Sequence, residues 1–393
     1  MSQVSSLQWL EDGQERSANW HSENGIAPHK KIQIADDTMT ADIAYRLACE
    51  GTALLYKGDF QNARQLLQAL VRRVDKPSKK STRVDRVDRV EKEKNKSPLD
   101  AFNLHRLAQS QRARILGMVL IQVNADHTIP LRRPPDVAQA CFEAYGKQEN
   151  SYVISLRELL GVISAHEWRK TGVQVLTRDD EEVRIHAHYG VFSPVRSEYI
   201  QLVLKAPLPE VIQQKSTAFD IGTGTGVLAI VLALRDIQKI VATDLNDRAI
   251  TCAKENIDLL GLNSQIEIQK ANLFPEGRAA LIVCNPPWLP ARPSSLLEHA
   301  VYDPDSQMLK GFLEKLKDHL LPHGEGWLIL SDLAEHLSLR TREELLSWIE
   351  QAGLQVIARL DTKPTHPKAF DKTDALHTAR SKEITSLWRL AIK

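Results

Sequence analysis

Thr217-Ala218-Phe219-Asp220-Ile221, running straight into Gly222-Thr223-Gly224-Thr225-Gly226, is a short apolar strand that ends in a G-x-G-x-G turn. Val227 to Leu234 then continues as an apolar helix. Glycines belong where a chain turns tightly and where backbone must approach a ligand with no Cβ in the way. The spacing is not the G-x-G-x-x-G of many dinucleotide sites. Asp220 adds an anion two residues before the first glycine, which suits a cationic or amine-bearing ligand better than a pyrophosphate.

Downstream, apolar runs recur at 239–243, 265–269, 280–284, 325–331, 354–360 and 385–392, with helical segments between most of them. Buried strands alternating with helices predict a parallel sheet covered on both faces. The expected fold is therefore α/β, a Rossmann-like, mostly parallel seven-stranded sheet with helices on both faces. Ligands of such sheets sit beyond the carboxyl ends of the strands. Asp244 ends the second strand, where a carboxylate can take both hydroxyls of a ribose, and Leu245 follows it. Asn272 and Leu273 end the third, where an amide oxygen can accept from an adenine amino group and Leu273 or Phe274 can pack on the base.

The fourth strand, Ala280 to Cys284, ends in Asn285-Pro286-Pro287-Trp288. An amide or aromatic amino nitrogen is a poor nucleophile because its lone pair is delocalised. The Asn285 side-chain oxygen and the Pro286 carbonyl offer two acceptors for its N–H groups, which fixes the nitrogen and localises charge on it. Two prolines stiffen the loop, and Trp288 supplies a flat wall for a planar acceptor.

Together these motifs resemble the class I S-adenosylmethionine-dependent methyltransferases over about residues 189 to 393, and among them those with an Asn-Pro-Pro-aromatic motif. The resemblance implies S-adenosylmethionine as cofactor, with Asp220, Gly222, Thr223, Gly224, Gly226, Asp244, Leu245, Asn272 and Leu273 as its binding residues. It implies Asn285, Pro286, Pro287 and Trp288 as the catalytic set. Asn272 departs from the more usual Asp, and Trp288 from the more usual Tyr or Phe.

Two subfamilies are similar. Release-factor glutamine-N5 methyltransferases carry a helical first domain, a β-hairpin and a V-x-I-P-R-P-type segment. A helical first half, a candidate hairpin (Val173–Leu176 with Val183–His188) and Val191-Phe192-Ser193-Pro194-Val195-Arg196 stand in the corresponding places, with the Arg and second Pro out of register. Ribosomal RNA guanine-N2 methyltransferases carry a Gly-Val-Phe-Ser segment, matched by Gly190 to Ser193, and a first half that is a decayed copy of the core, of which no second glycine loop or Asn-Pro-Pro is found here. A protein glutamine ranks ahead of an RNA base amino group, guanine N2 or adenine N6. A non-catalytic cofactor-binding RNA or assembly module is the rival from another class. The expected partner is thus a protein, release-factor-like, or an RNA substrate.

The expected domains are a polar arm (1–35), a mainly α-helical domain (36–170) with a flexible charged insertion (76–98), a hairpin and lead-in (171–193), and the methyltransferase domain (194–393). Helices at Ile43 to Leu54 and Ala63 to Val71 read as an ordinary helical hairpin rather than a tetratricopeptide repeat, since no second copy follows. Arg64 to Arg114 holds 15 Lys and Arg against 6 Asp and Glu; the mixed signs favour a solvated loop over an RNA-binding patch. A net charge of +1 announces no nucleic-acid partner. Cys49, Cys141, Cys252 and Cys284 lie too far apart for a zinc or redox motif, so neither metal nor disulfide is expected. No apolar run spans a bilayer, and a cytoplasmic location is expected. His186 and His188 lack a third ligand at metal spacing. Glu298, Tyr302 and Asp303 are either acceptor-pocket or turn residues, and Arg380 to Glu383 reads as a solvated turn before the last strand.

Overall fold

The computed structural model describes residues 5–76, 97–178, 181–213, 217–365 and 370–393. The chain divides into two compact units, Met1–Lys96 with Asn103–Glu167, and Ser97–Phe102 with Trp168–Lys393.

The first unit is built on a six-stranded sheet of order β1-β2-β6-β5-β4-β3. Its strands are β1 (Ser6–Glu11), β2 (Gln14–Trp20), β3 (Ile32–Ala35), β4 (Ala53–Tyr56), β5 (Val119–Val123) and β6 (Tyr152–Ser155). Helices α1 (Ala41–Cys49), α2 (Phe60–Val74), α3 (Pro98–Leu116), α4 (Ala138–Tyr145) and α5 (Leu156–Thr171) lie between and after them. The sheet corrects two expectations. The polar arm is a hairpin whose β1 buries Leu7 and Trp9 at alternate positions. Its turn, Asp12-Gly13, has both φ angles positive, at 52° and 75°, as a two-residue hairpin turn requires. The expected helical hairpin is interrupted by β4, fully buried along its length, so Leu54 is a strand residue. The helices are there, but they accompany a sheet that a mainly helical domain does not contain. Most of the charged stretch at 76–98 lies outside the described residues.

The second unit opens with an antiparallel hairpin, β7 (Val173–Arg178) and β8 (Glu181–Ile185), where the sequence placed one. A seven-stranded sheet follows in the order β11-β10-β9-β12-β13-β15-β14. Its strands are β9 (Thr217–Ile221), β10 (Lys239–Asp244), β11 (Ile266–Lys270), β12 (Ala279–Cys284), β13 (Leu320–Ser331), β14 (Leu354–Thr362) and β15 (Thr385–Ile392). The first five run parallel, and β15 enters antiparallel between β13 and β14. Around it lie α6 (Glu198–Lys205), α7 (Val227–Ala233), α8 (Asp247–Leu259), α9 (Gln307–His319) and α10 (Arg342–Gln351).

The strand period of two sorts this core into two layers. Leu281 and Val283 of β12, with Trp327 and Ile329 of β13, pack with α6 and α7. Ile282 and Cys284, with Leu328 and Leu330, pack with α9 and α10. Both faces are thus covered, as the continuous apolar runs required. Among the described residues, no helix is long and apolar enough to cross a membrane.

Candidate active site

The turn after β9 is closed by backbone. Gly222 and Thr223 both donate their N–H to the Thr243 carbonyl of β10, at 2.9 and 2.8 Å. Gly222 has φ +73°, and a Cβ there would lie 2.6 Å from the Met308 methyl. Gly226 has φ +85° and lies against α8, where a Cβ would sit 3.3 Å from that of Ala253. Gly224 faces open space, the one glycine of the three with room for a ligand on its bare side.

Asp220 is 1% exposed. Its Oδ2 accepts the Thr223 hydroxyl at 2.6 Å and the Ala229 N–H at 3.0 Å. The acid thereby pins the turn to the first turn of α7. Burial pushes its carboxyl up to about 6, against the pull of those two donors, and the Asp244 charge adds to the rise. Asp244 is more open. Its Oδ2 accepts from Gly224 N at 3.0 Å and its Oδ1 from Asn246 N at 2.9 Å, so each oxygen keeps a lone pair. Leu245 beside it is 63% exposed.

After β11, Asn272 is exposed. Leu273 holds φ +72°, a costly conformation for a side chain with a Cβ. The buried Thr243 hydroxyl donates to its carbonyl and holds it there. Phe274 turns to α9 instead, stacked on His319 at 4.5 Å and on Phe312 at 5.6 Å between ring centroids. Of the two residues expected to meet a base, Phe274 is already occupied.

Asn285-Pro286-Pro287-Trp288 leaves the end of β12, which pairs directly with β9. The Trp288 indole N–H donates to Asn285 Oδ1 at 2.9 Å. Below the indole lies the Arg196 guanidinium, 5.0 Å from the ring centroid. Arg196 Nε donates to Glu198 Oε1 at 2.7 Å, and both Nη atoms donate to Glu383 Oε1 at 3.1 Å. Glu383 also accepts the Ser331 hydroxyl at 2.7 Å. Both glutamates are buried. Glu383 therefore corrects the solvated-turn expectation. No local pattern marks this group, because its members come from the segments before α6, after β12, at the end of β13 and before β15.

Other candidates resolve into structure. His186 bonds the Arg169 carbonyl through Nδ1 at 2.6 Å, and His188 Nε2 meets Glu255 at 2.7 Å, so both tie the hairpin region to its surroundings. Asp303 accepts Met308 N and Leu309 N at 3.0 and 3.1 Å and caps α9. Burial raises its carboxyl. Glu298 accepts the Ser294 N–H and hydroxyl, both at 2.7 Å, and Tyr302 bridges to Leu289. Among the described residues no cluster of His, Cys, Asp and Glu is arranged to hold a metal.

The sheet order with its antiparallel β15, the glycine turn and the acid at the end of β10 make a Rossmann-like α/β domain whose candidate ligand residues gather at the carboxyl ends of its parallel strands. The family model described as "Ribosomal protein L11 methyltransferase (PrmA)" matches residues 200–286, the span from α6 through the first proline after β12. A ribosomal protein L11 methyltransferase of Alkaliphilus metalliredigens is 31% identical over 110 residues, 28% of this chain and 35% of the relative. The chain therefore covers about a third of that relative's length. A Methanocaldococcus jannaschii protein whose name assigns it to protein N5-glutamine methyltransferases is 26% identical over 184 residues, 45% of this chain and 87% of the relative. A tRNA1(Val) (adenine(37)-N6)-methyltransferase of Shewanella halifaxensis is 31% identical over 151 residues, 35% of this chain and 57% of the relative.

Proposed function

We propose that the protein transfers a methyl group from S-adenosylmethionine to a planar amide or amino nitrogen, with a protein glutamine side chain as the first acceptor to test. The observation that carries this reading is the Asn285 amide oxygen at the end of β12, one strand from the glycine turn, held by an indole N–H with a second lone pair still free.

The residues at the first strand ends fit the cofactor. Gly224 leaves its bare side open, Asp244 retains acceptor capacity for a ribose diol, and the exposed Leu245 with Asn272 offers apolar and polar edges for adenine. The cofactor supplies a methyl group on a sulfonium, already activated for transfer. The protein's own work is to position and polarise. The Asn285 oxygen and the Pro286 carbonyl take the two N–H groups of the acceptor, which orients the nitrogen and concentrates electron density on it. As the new N–C bond forms and the S–C bond breaks, one N–H proton is released to solvent. Neither a metal nor a strong base enters this scheme.

The protein-glutamine reading rests on the hairpin ahead of the core and on the extent of the Methanocaldococcus relative that is matched. The second reading, an RNA base amino group, rests on the Shewanella relative, since the same pair of acceptors suits an exocyclic amine. Incubation of the full chain with methyl-labelled cofactor and cell extract, with and without ribonuclease, separates them. Label in protein supports the glutamine reading. Label lost with ribonuclease replaces it with the RNA reading. Cofactor binding without transfer would turn the reading to a non-catalytic module.

A further inference from the structure

We infer that Arg196 is a positioning residue for the acceptor loop, acting through Trp288, and that Trp288 sets which face of the Asn285 amide meets the acceptor. The inference deepens the proposed function and rests on it for its activity arm alone.

An asparagine amide has two nearly isosteric ends, one that accepts hydrogen bonds and one that only donates. An acceptor nitrogen bearing N–H groups is held only by the oxygen. The neighbour that decides between the ends here is the Trp288 indole, a donor without acceptor capacity, at 2.9 Å from Oδ1. With the ends exchanged, two donors would face each other. The indole therefore selects the orientation in which the amide oxygen faces its own loop and keeps one lone pair for a substrate. A phenylalanine at this position has no N–H to do so.

The indole in turn must be held. Its face rests on the Arg196 guanidinium at 5.0 Å, within the range of a cation–π contact. The guanidinium is held through its in-plane N–H groups by Glu198 and Glu383 in three hydrogen bonds, and Glu383 is fixed by Ser331. Two buried carboxylates share one guanidinium, so its placement is strongly determined. The order of support runs Ser331, Glu383, Arg196, Trp288, Asn285. Lysine in place of Arg196 keeps the charge but loses the planar fork and the stacking face.

The test uses the full chain labelled with 5-fluorotryptophan. It carries seven tryptophans, and Trp288→Phe assigns the fluorine signal of Trp288. In Arg196→Lys that signal is expected to shift or broaden while the others stay in place, which also reports that the variant is folded. S-adenosylmethionine affinity by calorimetry should stay within about twofold, because none of these residues belongs to the glycine turn. Labelled-methyl transfer to cell extract should fall by about 10- to 100-fold, the scale of a slightly misplaced reacting group. Trp288→Phe should lose transfer similarly, and Glu383→Gln should move the Trp288 signal less than Arg196→Lys does. An unmoved Trp288 signal in Arg196→Lys, or wild-type transfer by Trp288→Phe, overturns the inference. A wild-type protein that transfers no label defeats the methyl-transfer reading, and the fluorine spectra still decide whether Arg196 fixes Trp288.

Discussion

The glycine turn after β9 and the Asn-Pro-Pro-Trp loop after β12 leave adjacent strands, yet they are held in opposite ways. The first is closed by its own backbone and one neighbouring strand: Gly222 and Thr223 bond the Thr243 carbonyl, and Asp220 reaches nine residues along the chain to Ala229. The second depends on Arg196 and Glu383, which stand 187 residues apart. A turn assembled from local bonds tolerates distant change and fails through its own residues. A loop held through a relay fails from far away. Cofactor binding and acceptor orientation should therefore be separable by substitution.

The largest expected effect within the cofactor half is on pH dependence. The folded-state carboxyl of Asp220 is raised from 3.8 to about 6. Its contribution to stability is complete below the unfolded value and is lost as the pH climbs through about 6, a change of about 3 kcal/mol. Asp220→Asn removes this titration, so its stability relative to wild type should rise between pH 4 and 7, as read by urea unfolding at each pH. A relative stability that stays flat over this range would mean that the acid is held ionised, because its titration window would then lie below about pH 4. Asp244→Ala comes next. Loss of a charged acceptor is worth about 1.5–3 kcal/mol, so S-adenosylmethionine affinity should drop by about 10- to 100-fold in calorimetry with the thermal midpoint little changed. Gly226→Ala should cost about 1–2 kcal/mol in stability for its left-handed backbone, made worse by the crowding at Ala253. Phe274→Leu should be mildest, about 1 kcal/mol of lost stacking with cofactor affinity unchanged, which would separate Phe274 from Leu273 as a wall for the base.

The same contrast explains what the sequence could reveal. Asp220 to Gly226, Asp244 and Asn285 to Trp288 are contiguous or end a predicted strand, so residue type and spacing carry the roles proposed for them. Arg196, Glu198 and Glu383 come together only in the folded sheet, and no spacing announces a pair so far apart. In the first unit, β4 is a four-residue apolar run, for which periodicity does not distinguish strand from helix. The β1–β2 hairpin hid in a polar segment because only one side of it is buried, at Leu7 and Trp9, although Asp12-Gly13 was a readable turn signal.

The most direct test of the two-part account is Asn285→Ala in the full chain, followed by calorimetry with S-adenosylmethionine and by labelled-methyl transfer to cell extract. The account predicts cofactor affinity within about twofold of wild type and transfer reduced by at least about 100-fold, as for removal of one preorganised polar group at a reacting centre. Transfer at the wild-type rate would contradict it.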